Sequence, residues 1–170
     1  MAELTSKDRL QPALLDRLTD MNPGVLREPP ERRIVSMRQL REGVLRDLSR
    51  LLNASRYRHQ QSLLRFPDAA RSTLNYGLPD LTGKAQSAVD ESDIATAIAQ
   101  AIRDFEPRIM ADTLIVKPVP RVSGRGNTLA FLIEGDLWAQ PYPERLYVRT
   151  ELDLEDGQVV LNAQGEAGAS

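Results

Sequence analysis

The chain has 170 residues, 41% of them hydrophobic and 27% charged, with a formal net charge of −2, which bounds it to one domain with short tails and enough apolar content for a core. It has no cysteine and a single histidine, His59, so disulfide scaffolds, thiolate metal sites, cysteine nucleophiles and multi-histidine clusters are excluded. The charge is uneven: residues 1–80 carry 14 basic and 10 acidic side chains, and residues 81–170 carry 8 and 14, a mild dipole that suits docking and argues against a general nucleic-acid binder.

Leu10, Leu14, Leu15, Leu18 and Met21 recur at helical spacing and predict a short amphipathic helix to about Asp20. Pro23-Gly24 stops it. Residues 22–35, with Pro29-Pro30 and Arg32-Arg33, read as a connector. In the next helix, Ser36 and Gln39 have the spacing of a capping box. Met37, Leu40, Val44, Leu45, Leu48, Leu51 and Leu52 line one face, and Glu42 stands four residues before Arg46 in the favourable order for an ion pair. Asn53 is the expected terminator. From Arg27 to Arg58 there are nine arginines against four acids. A solvated helix face accounts for most of that excess, and a docking surface for an acidic partner stays open.

Residues 54–64 extend or restart the helix, and His59, among Arg58, Gln60 and Gln61, reads as a surface residue. Phe66-Pro67-Asp68 breaks the chain again, and Ala69 to Leu74 allow about one helical turn. The run Asn75-Tyr76-Gly77-Leu78-Pro79-Asp80-Leu81 has the Gly and Pro of an ordered turn, with Tyr76, Leu78 and Leu81 to pin it to the core. A polar loop over 82–91 precedes a helix capped by Ser92 or Asp90. Its core face is Ile94, Ile98, Ala101, Ile102 and Phe105.

Pro107 ends that helix and pushes Glu106 into an extended conformation. Glu106 and Arg108 are therefore fixed two residues apart, at the seam between a helical half and a strand-forming half. Taken by itself, such a pair at a helix exit reads as an exposed, solvated ion pair of little energetic value. Beyond the seam, Thr113–Val116 read as a strand closed by Pro118 and Pro120, and Gly124-Arg125-Gly126-Asn127 as a hairpin-type loop. Leu129, Phe131, Ile133 and Leu137 then alternate with polar or small residues. After a turn over Trp138–Pro143, Leu146, Val148, Thr150, Leu152 and Leu154 do the same. Asp156-Gly157 signals a tight turn into a short strand, Gln158–Leu161. The predicted fold is α+β, with N-terminal helices packed on one face of a C-terminal antiparallel β-meander. The expected boundaries are a flexible start (1–9), a single domain (10–161) and a disordered tail (162–170).

No motif here carries enzyme chemistry unaided. A glycosidase needs two opposed carboxylates. Glu106 with Asp112 or Asp136 is the available combination, and spacing does not single it out among 24 acidic residues. Gly124-Arg125-Gly126 lacks the helix start that a phosphate-binding loop requires. The eight aromatics do not alternate with basic residues as a stacking surface for single strands would need. The polar segment from Met1 to Asp8 lacks the apolar core of a signal peptide, and no stretch approaches the roughly 20 apolar residues of a membrane span. The expectation is a cytoplasmic protein with no cofactor, no metal, no nucleic acid and no direct membrane insertion.

Taken together, Leu14-Leu15-Asp16-Arg17-Leu18-Thr19-Asp20, Val44-Leu45-Arg46-Asp47-Leu48 with Leu51-Leu52-Asn53, Ser72–Asn75 with Tyr76–Leu81, and Phe105-Glu106-Pro107-Arg108 occur in an order that resembles the lysozyme-like baseplate wedge proteins of contractile tails. The similarity runs from about Leu10 to Leu161 and points to the type VI secretion branch of Gram-negative bacteria. It implies a structural, non-enzymatic baseplate part that binds the other wedge subunits (TssF, TssG, TssK) and the sheath proteins (TssB, TssC) in a baseplate docked at the inner membrane complex. It also implies that Glu106, Pro107 and Arg108 mark a docking surface, and that the sheet resembles the part of the sheath protein that interlocks by strand exchange. On that reading Arg108 leaves the core, so Arg108→Ala weakens docking and leaves the fold intact. Val159, Val160 and Leu161 form an edge without a charge or proline to block pairing, so a proline at Val160 removes an edge donor. The competing reading is a muramidase-like peptidoglycan hydrolase using Glu106.

Overall fold

The computed structural model describes residues 13–19, 36–57, 63, 65–83, 85, 89–120, 127–139 and 143–163. The connector over 22–35, His59 and the loop at Gly124–Gly126 lie outside these residues. The element order is α1 (Leu14–Leu18), α2 (Met37–Leu52), α3 (Pro67–Ala70), a 3-10 turn (Thr73–Asn75), α4 (Glu91–Phe105), β1 (Ile115–Pro118), β2 (Thr128–Leu137), β3 (Glu144–Asp153) and β4 (Val159–Ala163). The strands form one antiparallel meander in the order β1-β2-β3-β4. α4 packs against α2 and β1, and α2 also packs against β4. The fold class is therefore α+β, as the hydrophobic patterning predicts.

α2 begins where its sequence says. The Ser36 N–H donates to Gln39 Oε1 at 2.9 Å and the Gln39 N–H donates to Ser36 Oγ at 3.2 Å, satisfying two donors that a helix start leaves without partners. Leu40, Val44, Leu48, Leu51 and Leu52 are buried against Ile94, Ile98, Ala101 and Ile102 of α4 and against the sheet. Met37 and Leu45 lie partly buried at the margin. The sheet contributes Leu129, Phe131, Ile133 and Leu137 from β2, and Leu146, Val148, Thr150 and Leu152 from β3, all inward. Asp90 caps α4 by accepting from the Ser92 N–H at 2.8 Å. Leu78 and Leu81 are buried and Tyr76 meets the Phe105 ring edge-on, so the 75–81 turn is pinned as expected. Gly77 has φ +113°, and a Cβ there would collide with the Ala54 carbonyl, which accepts from the Leu78 N–H at 2.8 Å.

Four expectations change. Leu14, Leu15 and Leu18 of α1 are exposed, so this apolar stripe is not core among the described residues. Glu42 pairs with Arg38 at 2.9 Å, because Arg46 turns toward Asp16 and Asp47. Residues 54–57 leave the helix to run beside the 76–81 turn, with a bridge between Ser55 and Leu78. The first strand starts at Ile115, not Thr113, because Thr113 closes a turn on Met110 while its Oγ1 accepts from the Asp136 N–H at 2.8 Å. At the far end β4 runs on to Ala163.

Candidate functional site

The seam is assembled from three elements. α4 delivers Glu106 as its C-cap, with the Glu106 N–H still donating to Ile102 O at 2.8 Å. Pro107 turns the chain, and residues 108–110 cross the end of β2. There the Trp138 N–H donates to Arg108 O and the Met110 N–H to Asp136 O, both at 2.8 Å, with an isolated bridge between Ile109 and Leu137. Gly135 makes room for this crossing, since a Cβ there would sit 2.9 Å from Ile109 Cγ2.

The ion pair is not solvated. Glu106 is 4% exposed, and both its oxygens face Arg108: Nε donates to Oε1 at 2.6 Å, Nη2 to Oε2 at 2.5 Å, and the Arg108 backbone N–H to Oε1 at 3.2 Å. This two-point fork is the strong form of a carboxylate–guanidinium contact. Arg108 does not extend freely into solvent; its partly buried side chain lies back over α2, where Nη2 also donates to Asp47 Oδ2 at 2.7 Å. Asp47 in turn accepts from Arg46 at 3.1 and 3.3 Å and from Arg50 at 3.4 Å, and Arg46 reaches Asp16 of α1 at 2.6 Å. A continuous chain of charges thus ties α1, α2 and the seam together.

Burial works against ionisation of Asp47, but hydrogen bonds from Arg46 and Arg108 outweigh it and hold its carboxyl below the usual carboxylate range. The Arg108 guanidinium is held still more firmly protonated, chiefly by its hydrogen bond to Glu106, against the opposing effect of burial. Gly43 lies beneath this contact: its Cβ position is 3.6 Å from both Arg108 Nη1 and Asp16 Oδ2, ordinary van der Waals distance, so an alanine would fit there.

Sequence reasoning missed Asp16, Gly43, Arg46 and Asp47 as members of this site. Gly43 stands out in the sequence, because a glycine inside an otherwise strong helix costs about 1 kcal/mol against alanine, although a Cβ there would meet only ordinary contacts. Trp138 was also missed. It was read as part of a turn, yet it stands 56% exposed, joined to Arg108 through the backbone and near exposed Pro107.

The second predicted site is separate from the seam. In β4, Val159 is buried, Val160 is 55% exposed and Leu161 is partly buried. β4 pairs with β3 on one side, Val159 facing Leu152 and Val160 facing Glu151. The Asp153 N–H donates to Gln158 O, so by antiparallel alternation Val160 points its backbone groups at β3, and Val159, Leu161 and Ala163 point theirs outward. Val160 is therefore not an edge donor, and the expectation for a proline there is corrected. The outward groups of Val159 are taken by the α2 C-cap: Asn53 Nδ2 donates to Val159 O, and the Val159 N–H donates to Asn53 Oδ1, both at 2.9 Å. The carboxamide stands in for a fifth strand at one residue. Besides the sheet, the seam and this edge are joined through α2, where Asp47 and Asn53 are about 9 Å apart along the axis at the rise of a regular helix.

Among the described residues, no group of three or more metal-binding side chains is found, and no helix is long and apolar enough to cross a membrane. Searches of curated proteins and of solved structures find no match to the chain. The family model described as baseplate wedge protein gp25 matches residues 38–142, from the first turn of α2 past the end of β2 and including the whole seam. With more than half of its length matched, the chain belongs to the baseplate wedge protein gp25 family.

Proposed function

We propose that the chain is the TssE-type subunit of a type VI secretion baseplate, a structural part that joins the wedge to the first ring of the contractile sheath and templates sheath polymerisation. Its partners are then TssF, TssG and TssK on the wedge side and TssB and TssC on the sheath side, in a cytoplasmic baseplate docked at the inner membrane complex. The observation that carries this reading is the bonding of Arg108. Nε and Nη2 are committed to Glu106 and Asp47, while Nη1 makes no hydrogen bond among the described residues and the side chain keeps 23% exposure. Arg108 is thus oriented in advance, with donors left for an incoming acceptor, and ordering it on docking costs little. Pro107, next to it in the chain, and Trp138, bonded to the Arg108 backbone, are both exposed, and Arg and Trp are residue types that dominate interface energetics. Glu106 contributes by aiming Arg108 and does not itself touch the partner.

The sheath side of the proposal rests on β4. Its outward groups at Leu161 and Ala163 have no strand partner among the described residues and could accept one, and Asn53 sets where such a strand would have to end. A muramidase is not favoured: both Glu106 oxygens accept from Arg108, and the residue is buried rather than facing a cleft. The test is co-purification of the wild-type chain with TssF–TssG and with TssB–TssC, beside a turnover assay on peptidoglycan. Stable complexes and no turnover are expected. Turnover without complexes would overturn the reading.

A further inference from the structure

The arginine-rich run noted in the sequence is largely neutralised inside the molecule. Of its described members, Arg38 pairs with Glu42, Arg41 with Glu144, Arg46 with Asp16 and Asp47, and Arg50 with Asp47. Arg56 breaks this pattern. Its backbone is fixed, the N–H donating to Leu78 O at 2.9 Å beside the bridge between Ser55 and Leu78. Its side chain is half-buried, its Nε is sealed from solvent without an acceptor, and no carboxylate among the described residues pairs with it. Burial alone acts on the group and works against its charged form. A guanidinium does not give up its proton in a protein, so the charge stays, with its Nε buried and unpaired among the described residues. An apolar side chain of similar length would serve the isolated fold better.

We propose that Arg56 is a receptor for a carboxylate side chain on another baseplate component, completed only on assembly; this rests on the baseplate reading above. A single guanidinium can hold one carboxylate through a two-point contact, here with its two Nη nitrogens because Nε is closed off. A polyanion such as nucleic acid or a lipid surface would need a row of free cations, and the described arginines before Arg56 in this run are already paired.

The experiment compares wild type, Arg56→Met and Arg56→Lys by thermal melting of the isolated chain and by titration against purified TssF–TssG. Arg56→Met should melt at or above the wild-type temperature and bind at least about tenfold more weakly. Arg56→Lys, keeping the charge without the fork, should bind between the two. An Arg56→Met variant that binds like wild type overturns the proposal whether it melts higher or lower. So does a variant whose binding loss is seen with duplex DNA or with phosphatidylglycerol vesicles and not with TssF–TssG. Failure of wild type itself to bind any baseplate component would instead overturn the broader reading.

Discussion

Glu106 and Arg108 depend on each other more than on any partner. A carboxylate at 4% exposure is tolerable only because two guanidinium nitrogens and a backbone N–H satisfy it. Arg108→Ala, which the sequence alone presents as a pure docking variant, therefore removes the counter-charge of a buried group. It should destabilise the chain by about 3–5 kcal/mol, lowering the melting temperature by roughly 10 °C for a domain of this size. Replacing both partners with leucine should recover most of that loss, since an apolar pair leaves no orphaned charge. Asp47 gives a second residue-level prediction. Its folded carboxyl titrates below the ordinary value of 3.8, so above that value the native state gains its full stabilisation, and the gain is lost as pH falls through the folded value. Urea midpoints followed from pH 7 to pH 3 should fall more steeply below about pH 4 for wild type than for Asp47→Asn. Parallel curves would show that Asp47 does not contribute.

α2 is the element on which both candidate surfaces are mounted. Its apolar face anchors the core, its polar stripe of Gly43, Arg46, Asp47 and Arg50 receives the seam, and its C-cap holds β4. Leu48 is fully buried at the centre of that face, so Leu48→Ala should cost about 2–5 kcal/mol in chemical denaturation. A loss under about 1 kcal/mol would show that this face is not core. The local features were readable before any coordinates: the Ser36–Gln39 box, the Pro107 stop, the two alternating strands and the Asp156-Gly157 turn each depend on residues within a few positions. What was not readable depends on distance along the chain. Arg108 meets Asp47 across 61 positions and Asn53 meets Val159 across 106. Arg46 forsakes the Glu42 of its own helix for Asp16 of another, a choice that i, i+4 spacing does not encode. Reading the Glu106–Arg108 pair as solvated fails for the same reason, because Arg108 is held by Asp47 of α2, far away in the sequence.

At the scale of the whole molecule, β4 is one of the two edge strands of the sheet. Asn53 occupies the outward groups of Val159, so on the proposed reading strand addition at β4 is left to Leu161 and Ala163. Leu161→Pro should keep the fold and abolish recruitment of TssB–TssC, whereas Val160→Pro should break the β3–β4 pairing and lower the melting temperature. Normal sheath initiation on a folded Leu161→Pro chain would remove β4 as the template. The central claim, that the proline-fixed Arg108 is displayed for a baseplate partner and not merely buried for stability, is tested most directly by the Glu106→Leu/Arg108→Leu double variant. Its affinity for TssF–TssG should be measured at a temperature where melting shows it folded. The account predicts a folded chain that binds at least about tenfold more weakly than wild type; a folded double variant with wild-type affinity would contradict it.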